Sequence, residues 1–270
     1  MNIDRLTAIL REAAQAEIMP RFRRLDEGTI ETKAHAYDLV TEADKASEAF
    51  ITRAIGAAAP HMVVIGEEAV SADPTLLDRH FENETVIYVD PVDGTWNFAS
   101  GLPLFAVMAA VVHKGEVVAG VIYDPVGDDW IMSERGCGCF QVFPDGRMQR
   151  QHFAAAVPLA DMAGTASVSY MDPEKRPEVM ANLAKVRVLA AYRCAGHEYR
   201  LGAGGHVHFM MYNKLTPWDH LAGSLMMAEA GAHVARFDGS AYKPAHLTGG
   251  LLVAPDAESW QALRREVFTV

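Results

Sequence analysis

The sequence predicts a mixed α/β chain, with helices and a mostly antiparallel sheet in residues 1–145 and an α/β half in residues 146–270. Three observations carry this prediction. Two apolar runs, 104–112 and 116–123, are separated only by His113-Lys114-Gly115, the pattern of a β-hairpin. The chain opens with Ile3, Leu6, Leu10, Ala13 and Ala14 at helical spacing, an amphipathic helix. After about residue 150, short strand-like runs alternate with helical ones.

Taken in order, residues 2–24 and 40–58 read as helices, the second with Thr41 as N-cap. MVVIG at 62–66 reads as a strand ending at Glu67. A loop containing Asp73-Pro74 and a strand at 85–90, TVIYVD, follow. Runs 129–133 and 138–143 continue the strand pattern. The second half predicts strands at 167–170, 187–192, 206–212, 232–237 and 250–254. Helices are expected at 174–185, 196–204, 217–231 and 256–268. The helix at 217–231 has Pro217 at its start and Gly231 at its end, the usual asymmetry. No Pro/Gly/Ser-rich linker and no internal repeat interrupts the chain.

Half of the 270 residues are hydrophobic, enough for a sizeable core. No run of about 18 apolar residues occurs, so no transmembrane helix and no membrane partner are expected. The N-terminal segment carries charges throughout and lacks the apolar region of a signal peptide. Three cysteines, Cys137, Cys139 and Cys194, fit a reducing cytoplasm better than a disulfide framework. Cys137-Gly138-Cys139 reads as a Gly-rich turn, because no second Cys/His pair sits at zinc spacing. A net charge of −11 supplies no basic stripe for a nucleic-acid backbone. Phosphate chemistry stays compatible with that charge, since bound cations can supply the local positive potential.

The chemistry concentrates in YVDPVDGTWNF at 88–98. Asp90 arrives at the end of a β-rich run, Pro91 stiffens the exit, and Asp93 follows. Two such close carboxylates repel unless a cation lies between them, and Mg²⁺ accepts hard oxygen ligands. Gly94-Thr95 amides at a helix start would form an anion site. An ordinary Asx turn with an N-cap explains the same residues. Glu67 and Glu68 in VVIGEEA read equally as solvated acids at a strand end. Asp219 in PWDHLAG also suits a first helical turn, where the dipole favours an acid. Asp44, which with Lys33 and Thr41 flanks the short apolar segment of KAHAYDLVTEAD, also suits a capping acid.

In combination the elements G-E-E, D-P-V-D-G-T, W-D-x-x-A-G and D-L-V-T-x-A-D resemble the inositol monophosphatase family, of the lithium-sensitive, Mg²⁺-dependent sugar-phosphatase superfamily. The resemblance runs from about residue 30 to 255. It implies a layered α/β/α/β sandwich, commonly a homodimer, that uses two or three Mg²⁺ ions on a small phosphorylated metabolite. Residue by residue, Glu67 matches a first-metal ligand that also helps hold the activating metal. Asp90 matches the bridging carboxylate, the carbonyl of Val92 a first-metal ligand, and Asp93 and Asp219 the second-metal ligands. Thr95 and Asp44 match the pair that orients and deprotonates the attacking water. Gly94 and Thr95 match the amides that hold the phosphate.

The specificity segment departs from the family pattern. Where Gly-Thr/Ser-Ala-Ala is usual, this chain has Cys194-Ala195-Gly196-His197-Glu198. Tyr212 stands six residues before the Trp, where animal-type members carry the acid that grips inositol hydroxyls. With Asp93, Gly94 and Thr95, the residues Gly196, His197, Glu198 and Tyr212 are the candidate substrate contacts. His197 and Glu198 either line the pocket or form a helix-surface pair. His206 and His208 alternate on an expected strand and read as a structural pair. Leu225, Met226 and Met227 read as core, and Trp96 as packing. Other substrates within the superfamily are histidinol phosphate, fructose 1,6-bisphosphate and 3′-phosphoadenosine 5′-phosphate. A reading from another class is a catalytically silent metal-binding protein acting through protein contacts, which would be expected to have lost one of these positions.

Overall fold

The computed structural model describes residues 1–25, 30–32, 39–81 and 84–269. Lys33 lies outside the described residues. Helix α1 (Ile3–Ala13) is capped by Asn2 and buries Leu6, Ile9 and Leu10. It does not run to residue 24. At Ala14–Ile18 it widens into a π-turn, with Met19 N bonded to Ala14 O at 2.9 Å. Pro20 is the reason: it has no amide hydrogen for Ala16, so the α-helical ladder cannot continue. Strands β1 (Ile30–Thr32) and β2 (Leu39–Thr41) pair antiparallel, and α2 (Glu42–Ala58) starts directly after them, with Thr41 as its cap.

The larger sheet follows. Strand β3 (Val63–Gly66) leads into α3 (Glu67–Ala72) and a 3₁₀ segment, Pro74–Phe81; both lie where a loop was expected. Then come β4 (Thr85–Asp93), the short helix α4 (Thr95–Ala99), β5 (Ala106–His113) and β6 (Glu116–Asp124). Strands β7 (Asp129–Glu134), β8 (Gly138–Val142) and β9 (Met148–Gln151) complete it. The order is β3-β4-β5-β6-β7-β8-β9, antiparallel except for β3 against β4. The β5–β6 hairpin turns on Lys114 at φ 51° and Gly115 at φ 80°, the left-handed pair that matches strand twist.

The second half holds β10 (Ala163–Ala166), α5 (Arg176–Leu183), β11 (Val188–Ala190), α6 (Ala195–Ala203), β12 (Phe209–Tyr212), α7 (Pro217–Glu229), β13 (His233–Arg236), β14 (Leu251–Ala254) and α8 (Ala257–Glu266). These strands form a second sheet, ordered β11-β10-β12-β14-β13. Two expectations fail here. The strand is 163–166, not 167–170, and Val168–Tyr170 is a 3₁₀ turn. Ala-Gly-Thr-Ala has little intrinsic β preference; packing decides it. A Cβ on Gly164 would lie 2.3 Å from the Phe209 ring, so glycine admits the neighbouring strand's aromatic. His206 and His208 precede β12 rather than alternating along it. His206 N closes the end of α6 on Leu201 O, and His208 Nδ1 accepts from Ala163 N at 3.1 Å.

Alternating residues sort the core into layers. On β4 and β5, Ile87, Val89, Val107 and Ala109 face α1 and α2, while Tyr88, Met108 and Ala110 face α7. On β12 and β14, Met210, Tyr212 and Val253 join that same middle layer. Phe209, Met211 and Leu252 face Val179 and Leu183 of α5 and Leu263 of α8. The expected layered sandwich is present, with α6 and α7 between the sheets and α5 and α8 closing the far face. Leu225, Met226 and Met227 are core, as expected. Among the described residues no helix is long and apolar enough to cross a membrane.

Candidate active site

On a regular strand, residues 90 and 93 would point to opposite faces. A bulge prevents that. Asp90 pairs with Met108 and Asp93 with Ala106, so three steps on β4 answer two on β5. Pro91 offers the ladder no donor there, and Asp90 Oδ1 accepts from Val92 N at 3.0 Å. The Asx turn is therefore real, and it serves the cluster: both acids now face the α7 layer. The parallel pairing of Gly66 with Val89 sets Glu67 beside Asp90. From the other half, α7 brings Asp219. Donor oxygens of Asp90, Asp93 and Asp219 lie within 4.8 Å of one another.

Small residues make that convergence possible. A Cβ on Gly120 of β6 would lie 2.9 Å from Ala222 Cα, and one on Gly223 would lie 2.1 Å from the Tyr199 ring. In W-D-x-x-A-G, Ala222 thus sits directly on the sheet at Gly120, and Gly223 admits the Tyr199 ring of α6 against α7. Thr216 Oγ1 donates to Asp219 Oδ2 and orients it. Asp93 is held by the start of α6: Ala195 N donates to Oδ1 at 3.2 Å, Gly196 N to Oδ2 at 2.5 Å, and Cys194 Sγ to Oδ2 at 3.0 Å. A Cβ on Gly196 would meet Ala106 at 2.7 Å, so glycine permits this approach.

Beside the cluster, Gly94 at φ 86° caps α4, and a Cβ there would lie 2.9 Å from Leu104 O. Thr95 Oγ1 is 2.9 Å from both Asp44 Oδ1 and Val92 O. Asp44 closes a capping box on α2: Thr41 N and Oγ1 donate to its Oδ2 at 2.8 and 2.6 Å. The same carboxylate thus serves the α2 cap and the Thr95 hydroxyl. Burial pushes Asp44 up to about 6 against those hydrogen bonds. Burial and the charges of Glu67, Asp219 and Asp93 push Asp90 well above the carboxylate range. Burial and Asp219 push Asp93 up to about 7. Buried hard oxygens that repel each other in this way fit a hard divalent cation.

The remaining candidates turn elsewhere. His197 Nε2 is 3.2 Å from Phe105 O and lines a cavity of about 450 Å³ with Asp124, Arg200 and His206, whose lining includes none of the cluster acids. Glu198 is buried and accepts from Tyr192 N at 2.9 Å, so it is no helix-surface residue. Tyr212 is buried between the rings of Tyr199 and His220, at 5.3 and 4.5 Å. Trp96 lies under the Arg193 guanidinium at 3.9 Å. Cys137 is exposed and unlinked, and Cys139 sits in β8, in keeping with a plain turn. Sequence reasoning missed Thr216, which holds Asp219 one turn on, and Gly120, which acts through absent bulk, and it gave Cys194 no contact with the distant Asp93.

The layered sandwich thus gathers acids from strand ends and helix starts beside a left-handed glycine. The chain belongs to the inositol monophosphatase family, whose model matches residues 2–268. It is 31% identical over 231 residues to a fructose-1,6-bisphosphatase/inositol-1-monophosphatase of Thermotoga maritima, covering 82% of this chain and 80% of that one. It is also 29% identical over 267 residues to a Nus factor SuhB of Pseudomonas aeruginosa, covering 96% and 93%. Among solved structures, SuhB of Bartonella henselae superposes with a TM-score of 0.81 at 25% identity, covering 98% of this chain and 97% of that one.

Proposed function

We propose that the chain hydrolyses a small phosphate monoester with Mg²⁺, two or three ions per site. The observation that carries this is the convergence of Asp90, Asp93 and Asp219 beside Glu67 and the Gly94-Thr95 turn. Glu67, Asp90, the Val92 carbonyl, Asp93 and Asp219 hold the cations. Mg²⁺, when bound, offsets the phosphate charge, activates water and stabilises the leaving alkoxide. The amides of Gly94 and Thr95 orient the phosphate. Asp44, ionised above about pH 6, takes the proton through the Thr95 hydroxyl. Gly196 keeps the substrate side of Asp93 narrow.

The substrate we infer is a phosphorylated polyol or sugar. A net charge of −11 argues against nucleic acid as partner. A homodimer, a cytoplasmic setting and Li⁺ inhibition complete the reading. His197, Glu198 and Tyr212 act on specificity by shaping the α6 segment. A second reading, a role through protein contacts, is favoured by the relatives named Nus factor. Assaying inositol, sugar, histidinol and nucleotide monophosphates and fructose 1,6-bisphosphate with Mg²⁺, with and without Li⁺, tests the first reading. Inactivity on all of them would favour the second.

A further inference from the structure

Glu48 lies one turn after Asp44 on α2 and is 7% exposed. Its carboxylate reaches across to α3. Oε2 accepts from Glu68 N at 2.7 Å and Oε1 from Ala69 N at 2.8 Å. Helix α3 has six residues, begins at Glu67, and receives no side-chain cap from Gly66. So short a helix does not hold its own first turn. A carboxylate from another helix here does what a local cap does elsewhere, satisfying two amides at the positive end of the dipole.

Gly66 carries the same message from the opposite side. Its φ of −99° suits any residue, so backbone freedom is not why glycine stands there. A Cβ would lie 2.2 Å from Glu48 Cδ and 2.3 and 2.7 Å from its two oxygens. The glycine makes room for the carboxylate. One helix, α2, thereby sends two buried acids to the site: Asp44 to Thr95, and Glu48 to the amides that follow Glu67.

We propose that Glu48 is a positioning residue: by holding the first amides of α3 it aims Glu67 at Asp90 and so sets the affinity of the carboxylate cluster for its cation. This role rests on Glu67, Asp90, Asp93 and Asp219 being cation ligands. Partners that orient a ligand from outside the coordination sphere are worth about 10–100-fold in metal affinity. A mere helix staple would change stability and leave affinity alone.

The test uses the full chain and Mn²⁺ as the probe, with free Mn²⁺ read by electron paramagnetic resonance and folding checked by circular dichroism. Glu48→Gln keeps the size but turns an amino group toward an amide donor. Gly66→Ala keeps the charge and evicts the carboxylate. Glu48→Asp keeps charge and fold with a shorter reach, and exposed Glu42→Gln removes a charge from the same helix as control. Glu48→Gln and Gly66→Ala each weaken Mn²⁺ binding by about 10–100-fold, Glu48→Asp by less, and Glu42→Gln by under about twofold. The Mg²⁺ concentration for half-maximal hydrolysis rises in proportion. Wild-type affinity in folded Glu48→Gln and Gly66→Ala overturns the proposal, even if both melt early. If Gln and Ala misfold, wild-type affinity in Glu48→Asp overturns it. Wild-type protein that binds no Mn²⁺ sinks the cation reading itself, a distinguishable failure.

Discussion

Replacing Asp90 by Asn has opposite effects on activity and on metal-free stability. Asp90 is 2% exposed, and its Oδ1 accepts from Val92 N at 3.0 Å. Asn keeps an acceptor for that amide, so the bulge survives. What disappears is one charge among acids whose oxygens lie within 4.8 Å. Two unit charges about 4.5 Å apart repel by about 4 kcal/mol at an effective dielectric of 20. Protonation already relieves part of that, which leaves a gain of about 1–3 kcal/mol for the chelated variant near neutral pH. At roughly 2–4 °C per kcal/mol, its Tm rises by several degrees. Saturating Mg²⁺ reverses the order, because a cation at about 1,000 times Kd stabilises wild type by about 4.1 kcal/mol and the variant hardly at all. Turnover falls at least about a thousandfold, about 4 kcal/mol of barrier. Thermal melts with chelator and with Mg²⁺, alongside steady-state phosphate release, read all three quantities. Near-normal turnover, or a chelated variant melting below chelated wild type, refutes the electrostatic reasoning.

Two further outcomes follow from the same geometry. The proposed role has Asp44 acting ionised, so kcat/KM should rise with pH through about 6, and Asp44→Asn should remove that limb and about 10²–10⁴ of the rate; a limb unchanged in residual activity contradicts the assignment. The stability sign is the reverse: a carboxyl raised from 3.8 to about 6 favours the folded state below pH 4 and loses about 3 kcal/mol as pH climbs through 6. Chelated Asp44→Asn should therefore show a flatter Tm profile across that range. Gly120→Ala drives a methyl into Ala222; it should cost about 1–3 kcal/mol in denaturant unfolding and weaken Mn²⁺ binding by displacing Asp219. Unaltered metal affinity would mean that α7 has slack.

Much of the fold was legible because it follows local rules. The Thr41 cap, the Lys114-Gly115 hairpin and the Pro217 start of α7 are decided by nearest neighbours. Elements built of small or polar residues were not legible. Strand β10 exists because Phe209 packs over Gly164, and α3 leans on a carboxylate supplied by α2. Asp44 shows the limit most plainly: local sequence gives only a capping acid, and the structure shows that the same carboxylate also takes the Thr95 hydroxyl of a distant turn.

From the chain's order of residues alone came the periodicities, the caps and turns of several elements, the absence of a basic stripe, and the acids to watch. The tertiary structure alone decided that Asp90 and Asp93 face the same way, that α6 grips Asp93, and that α7 comes close enough to deliver Asp219. The reason is distance. Charge repulsion, burial and close packing act between atoms a few ångströms apart in space, and only the folded chain brings together residues so far apart in sequence.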